Sequence, residues 1–200
     1  MKFRIAVYAL PFFALLAQVA AAHPHHVDAL GAAHGLAAGF FHPLLGLDHV
    51  LAMFAVGLLA AQLGGRAIWA LPAAFLGVMI AGGGAGTAGL SLPAIEIGIA
   101  LSVVALGVAL AVGMKYPLVA ATIIVGLFGM LHGHAHGTEM PAMAASWQYA
   151  AGFVAATSAL HLAGLGAGLL LVRGHNYAIV LRVSGGVISA AGLMLLAKAI

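Results

Sequence analysis

The chain has 200 residues, of which 64% are hydrophobic and 6% charged, with a formal net charge of +3. A soluble domain covers its surface with roughly 25% charged residues, so that class is excluded, and so few scattered cations make no nucleic-acid surface. Cysteine is absent, which excludes disulfide frameworks and thiolate metal sites, whereas 11 histidines stand against 4 acidic residues.

Residues 1–22 read as a secretory signal peptide. Lys2 and Arg4 form the basic start, Ile5–Val19 the apolar run, and Ala20-Ala21-Ala22 the small-residue cleavage site. An uncleaved first helix is the alternative. Cleavage after Ala22 leaves a His-rich segment over 23–36 outside the cytoplasm, opening His23-Pro24-His25-His26-Val27-Asp28. The remainder, 37–200, divides at polar or glycine-rich breaks into six apolar runs, predicted as helices over 37–63, 67–87, 92–113, 116–135, 147–172 and 177–197. Each meets the roughly 20 residues a span requires. Runs so long and uniformly apolar exclude barrel strands. Gly82-Gly83-Gly84 and Gly86 are positions at which the second run can end early. The expected fold class is all-α: a polytopic integral membrane protein of six transmembrane helices after signal-peptide removal. The loops after the first, third and fifth runs hold Arg66, Lys115 and Arg173, while the loops near 88–91 and 136–146 contain no Lys or Arg. Positive charge stays inside, so both mature termini are expected in the periplasm and the spans in a bacterial inner membrane. Lys198 alone runs against this pattern.

Ionisable groups inside a bilayer are costly and usually functional. The first run carries His42, Pro43, Gly46, Asp48, His49 and Met53. On a continuous helix, His42, His49 and Met53 fall within about 40° of one another, and Asp48 points about 100° from His49. Asp48 then supports a ligand rather than being one, unless Pro43 and Gly46 unwind the stretch. The fourth run ends in His132, Gly133, His134, Ala135, His136 and, beyond it, Glu139. His132, His136 and Glu139 share a face if the helix persists, whereas His134 points away. Two imidazoles at i, i+4 can hold one divalent metal, though His-Glu-x-x-His is absent and no protease chemistry is implied. Glu96 in the third run and Thr157 and His161 in the fifth extend a polar line toward the middle of the membrane. Each has a plainer reading: Glu96 as an interfacial cap, His161 as an interhelical hydrogen-bonding group, Asp48–His49 as a proton relay. His23, His25, His26 and Asp28 read as a periplasmic capture site or as a solvated linker. Pro24 lacks the backbone N–H that a tight square-planar chelate deprotonates.

These motifs, His42-Pro-x-x-Gly-x-Asp48-His49-x-x-x-Met53 and His132-Gly-x-Ala-His136-Gly-x-Glu139-x-Pro141, resemble the HupE/UreJ family of nickel and cobalt permeases. Lesser similarities are Glu96 with Ile99 and Ser102, and Thr157 with His161. The resemblance covers essentially the whole mature chain. It implies secondary uptake of nickel and/or cobalt from the periplasm, no permanently bound cofactor, no enzymatic activity, and a functional link to hydrogenase, urease or cobalt-cofactor assembly. It also implies that His42, Asp48, His49, His132, His136 and Glu139 serve transport, with Met53, Glu96, Thr157 and His161 along the pathway. Imidazole donors suit Ni²⁺, Co²⁺, Zn²⁺ and Cu²⁺ alike. A membrane sensor or metallocentre-assembly partner that binds metal without moving it is the alternative.

Overall fold

The structure is a computed structural model that describes residues 35–140, 146–172, 174 and 176–200. The predicted signal peptide and His23, His25, His26 and Asp28 lie outside the described residues. Among those described, the chain forms seven α-helices and no strand: α1 Gly35–Leu45, α2 Leu47–Leu63, α3 Ala67–Thr87, α4 Ile95–Val112, α5 Leu118–Thr138, α6 Ser146–Val172 and α7 Tyr177–Ala199.

The single helix expected over 37–63 is corrected to two. Pro43 has no N–H to donate to the carbonyl four residues back, which weakens the end of α1. Gly46 then takes extended backbone, with φ −93° and ψ 116°, and α2 departs at 83° to α1. The new helix starts where Val50 N–H donates to Gly46 O at 3.0 Å, with Asp48 in its first turn. A carboxylate suits the positive end of the helix dipole. The run over 67–87 forms one helix, because Gly82 and Gly86 pack against the backbones of Met130 and His134 rather than ending it. α5 continues to Thr138, three residues past its expected end, so His136 is helical.

Small residues set the packing. On α5, Gly129, Gly133 and Gly137 recur every fourth residue and lie on the backbones of Phe75, Met79 and Gly83 of α3. The contacts advance in the same direction, so α3 and α5 are parallel. α2 and α6 also run parallel, with Gly164 on Phe54 and, one turn on, Gly168 on Leu58 and Ala61. α4 and α7 run antiparallel, Gly185 meeting Ala111 while Gly192 meets Val104. Close backbone approach of this kind supplies helix association where lipid removes the hydrophobic drive. α2 is the central helix. From His49 to Ala61 only Phe54 is not buried, and α2 contacts α1, α3, α4, α6 and α7.

Large apolar side chains cover the outside, among them Ile80, Leu101, Val119, Ile123, Leu170 and Met194. Such a surface suits lipid, not water. α3 to α7 are each long and apolar enough to cross a membrane, and the bent α1–α2 pair passes the same test taken together.

Candidate metal pathway

The glycine seam between α3 and α5 fixes where the histidines of α5 point. Gly133 and Gly137 sit against α3, so the neighbouring His132 and His136 emerge at the edge of that contact, toward α1, α2 and α6. Both are buried, His132 completely. The bend at Gly46 brings α1 and the start of α2 to the same place. Rings from these separate helices then form a line. His42 and His136 have centroids 4.6 Å apart, His136 and His49 4.3 Å, and His49 and His132 4.9 Å. Phe75 follows at 5.4 Å from His132 and His161 at 5.0 Å from Phe75.

The outer end of the line is the exposed one, although His136, second in it, is already only 3% exposed. The Glu139 side chain is 50% exposed and that of His42 21%, the two joined by a 3.2 Å contact from His42 Nε2 to Glu139 Oε2. The His49 side chain is 11% exposed, and His132 and His161 are shut off at 0% and 2%. One donor atom from each of His42, His136 and Glu139 lies within 4.8 Å of the others, a spacing that one divalent ion can bridge.

Hydrogen bonds fix the ring orientation deeper in. His49 Nδ1–H donates to Asp48 Oδ1 at 2.6 Å, and the same oxygen accepts from the His49 backbone N–H at 2.8 Å. His132 Nδ1–H donates to Phe128 O at 2.9 Å. In both rings Nε2 therefore carries the lone pair, and in both it is buried with no partner. An imidazole whose second nitrogen is held by a carboxylate or a carbonyl is the usual arrangement of a metal ligand. Both nitrogens of His136 and both of His161 are likewise buried and unpartnered, as is the Tyr149 hydroxyl. Buried polar atoms are nearly always bonded, and these unpaired ones are concentrated on one line.

Asp48 is hydrogen-bonded to His49, and His134 is set apart. His134 Nε2–H donates to Leu90 O at 2.7 Å, tying α5 to the α3–α4 loop. The shared face of His42, His49 and Met53 on one continuous helix is corrected. The two histidines meet His136 across the bend, while Met53 is buried in the apolar cluster. Glu139 caps α5. Glu96 is exposed in the first turn of α4, within electrostatic reach of Glu139, Asp48 and His49. Thr157 donates to Met79 Sδ at 3.8 Å. Sequence reasoning misses Phe75, which stands between the His132 and His161 rings, and Tyr149, whose ring is 5.9 Å from His42. A tyrosine near the start of an apolar run reads as an interfacial anchor, and a phenylalanine within one reads as packing; neither carries a sequence signal for this site.

The family model described as HupE / UreJ protein matches residues 11–195. The chain belongs to the HupE/UreJ family. It is similar to Protein HupE of Rhizobium leguminosarum bv. viciae, with 45% identity over 186 residues, covering 92% of this chain and 94% of that protein. No solved structure matches. As a HupE/UreJ member the chain is a multi-pass helical membrane protein, and the family match extends across every helix that contributes a histidine to the line.

Proposed function

We propose that the protein is a secondary permease, not an enzyme, that takes up divalent nickel and/or cobalt from the periplasm across the inner membrane. The observation that carries this reading is the line of imidazoles from α1, α2, α5 and α6, half-exposed at the His42 end and buried at the other, with unpaired nitrogens on His49, His132, His136 and His161. Glu139, His42 and His136 form the outer station and receive the ion as it sheds water. His49, oriented by Asp48, and His132 take it next, and His161 lies beyond Phe75. Thr157 and Met53 flank the inner part, and Glu96 adds negative charge near the entrance. Neutral imidazoles leave the ion's charge uncompensated, so Asp48, Glu96 and Glu139 offset it. Several weak stations suit transport better than one closed site, because an ion held too firmly does not leave.

In this reading 1–22 is a cleaved signal peptide, 23–36 a periplasmic segment where His23, His25, His26 and Asp28 capture metal, and 37–200 the permease. The α1–α2 pair counts as one broken span, giving six spans with both mature termini periplasmic. The packing directions support that count. Alternating spans require the first and fifth, and the second and fourth, to be parallel and the third and sixth antiparallel, as observed for α2–α6, α3–α5 and α4–α7. A helix broken at the binding site is a recurrent device of secondary transporters. The ion delivered would serve a nickel enzyme such as hydrogenase or urease, or a cobalt cofactor.

Radiolabelled nickel and cobalt uptake in intact cells, each metal competing with the other, tests the proposal. His49→Ala and His132→Ala are expected to insert at wild-type levels and lose uptake by about 10-fold or more. Metal bound by purified wild-type protein without accumulation in cells expressing it would instead establish the sensor or assembly-partner reading.

A further inference from the structure

The end of the molecule away from the histidines carries charge that the chain does not balance. The acidic residues of the sequence are Asp28, Asp48, Glu96 and Glu139. Asp28 precedes α1, outside the described residues, and the other three sit at the helix ends that surround the histidines. The opposite helix ends carry Arg66 before α3, Lys115 after α4 and Arg182 early in α7. Among the described residues the ion pairs are those of His42 and His49, and none involves these three cations.

At Arg182 the imbalance coincides with a built pocket. A cavity of about 130 Å³ is lined by Gln62, Leu110, Gly113, Tyr177, Leu181 and Arg182. Gln62 lies in the last turn of α2, and both its Nε2 and its Oε1 are buried without a hydrogen-bond partner. Arg182 lies across Gly113, the left-handed residue that ends α4, where a Cβ would stand 3.2 Å from Arg182 Nε. The negative end of the α4 dipole draws a cation there, yet the guanidinium makes no hydrogen bond to the α4 carbonyls. An occupant of this pocket must accept hydrogen bonds from a guanidinium and a carboxamide N–H while donating one to the carboxamide oxygen. Its depth is marked by Tyr177, 41% exposed, and by Trp69, 65% exposed near the same end of α3. Aromatics so placed sit at headgroup level.

We infer that this pocket binds the phosphate of a phospholipid headgroup, with a headgroup hydroxyl or ammonium donating to Gln62. A phosphodiester supplies acceptors and negative charge, and the headgroup alcohol or amine supplies the donor. Basic pockets between helices at the cytoplasmic surface are suited to such lipids. The site lies at the far end of the helix that begins with Asp48 and His49, and it does not depend on which metal the permease carries.

The experiment uses delipidated full-length protein in detergent, titrated with phosphatidylglycerol or with inorganic phosphate. Occupancy is read by native mass spectrometry and stability by thermal unfolding. Wild type is expected to hold one phosphatidylglycerol at a saturable site and to gain several degrees in Tm. Arg182→Gln and Gln62→Met are expected to weaken that site at least five-fold and to lose the Tm gain. Arg182 is exposed and Met approximates the volume of Gln, so both variants should keep the wild-type helical circular-dichroism spectrum. Equal lipid retention by all three proteins would overturn the inference. Inorganic phosphate that displaces the lipid or gives the same Tm gain would overturn the lipid assignment in favour of a soluble anion.

Discussion

His49 is held by its own neighbour in sequence. Asp48 Oδ1 accepts from both the ring Nδ1–H and the backbone N–H of His49, which leaves Nε2 with its lone pair and a carboxylate beside the ring. Asp48→Asn keeps the size of the group and an acceptor but removes the charge. Uptake is expected to fall about 10- to 100-fold, as for other supports of metal-bound histidine, with normal amounts of protein in the membrane. Wild-type uptake by this variant would mean that Asp48 neither orients the ring electrostatically nor offsets the ion. Tyr149 makes a different point. Its hydroxyl is buried with no partner beside His42, so a purely structural role predicts that Tyr149→Phe is neutral or stabilising. A role on the path predicts a several-fold rise in the apparent KM for metal with no loss of thermal stability, and that is the expected result.

Among the elements, the α3–α5 seam and the α1–α2 break carry the site. A Cβ on Gly133 would run into the Met79 backbone, whereas a Cβ on Gly77 of α3 meets nothing within 4 Å. Gly133→Ala is therefore expected to lower stability by about 1–3 kcal/mol, the usual range for overpacking, and to reduce uptake by displacing His132. Gly77→Ala should unfold at the wild-type temperature or slightly above it. At the break, a Cβ on Gly46 would stand 2.8 Å from both Asp48 Oδ1 and His49 Nδ1. Those are side-chain atoms that can move, so Gly46→Ala is expected to spare folding while weakening uptake, because the Asp48–His49 bond must shift. The sequence makes much of this legible. The limits of α3 agree with the apolar run over 67–87, and the i, i+4 spacing of His132 and His136 puts both on the inner side of α5. Pro43 and Gly46 mark a weak point, but neither fixes an angle of 83°; that depends on where α1 finds a partner, which is the glycine face of α6 at Gly152. Phe75 and Tyr149 stay hidden for a related reason. Their role comes from contacts between distant helices, and locally they look like any other aromatic in an apolar run.

For the molecule as a whole, the legible feature is polarity from end to end. Arg66 and Lys115 lie at the ends of α2 and α4, opposite the ends that carry Asp48 and Glu96, and the observed helix directions agree with alternating passes. The proposed orientation places Ser91, in the exposed α3–α4 loop, in the periplasm and Met114, in the exposed α4–α5 loop, in the cytoplasm. The sequence contains no cysteine, so a single introduced thiol is free of background. Both positions are exposed and lie in loops outside the helices, and neither substitution should disturb uptake. Ser91→Cys is expected to react with a membrane-impermeant maleimide in intact spheroplasts, whereas Met114→Cys should react only after the membrane is opened. Labelling in the opposite order would invert the protein. The histidine line would then open to the cytoplasm, where it could release metal but could not capture it from the periplasm, and the case for uptake would fail even with every donor in place.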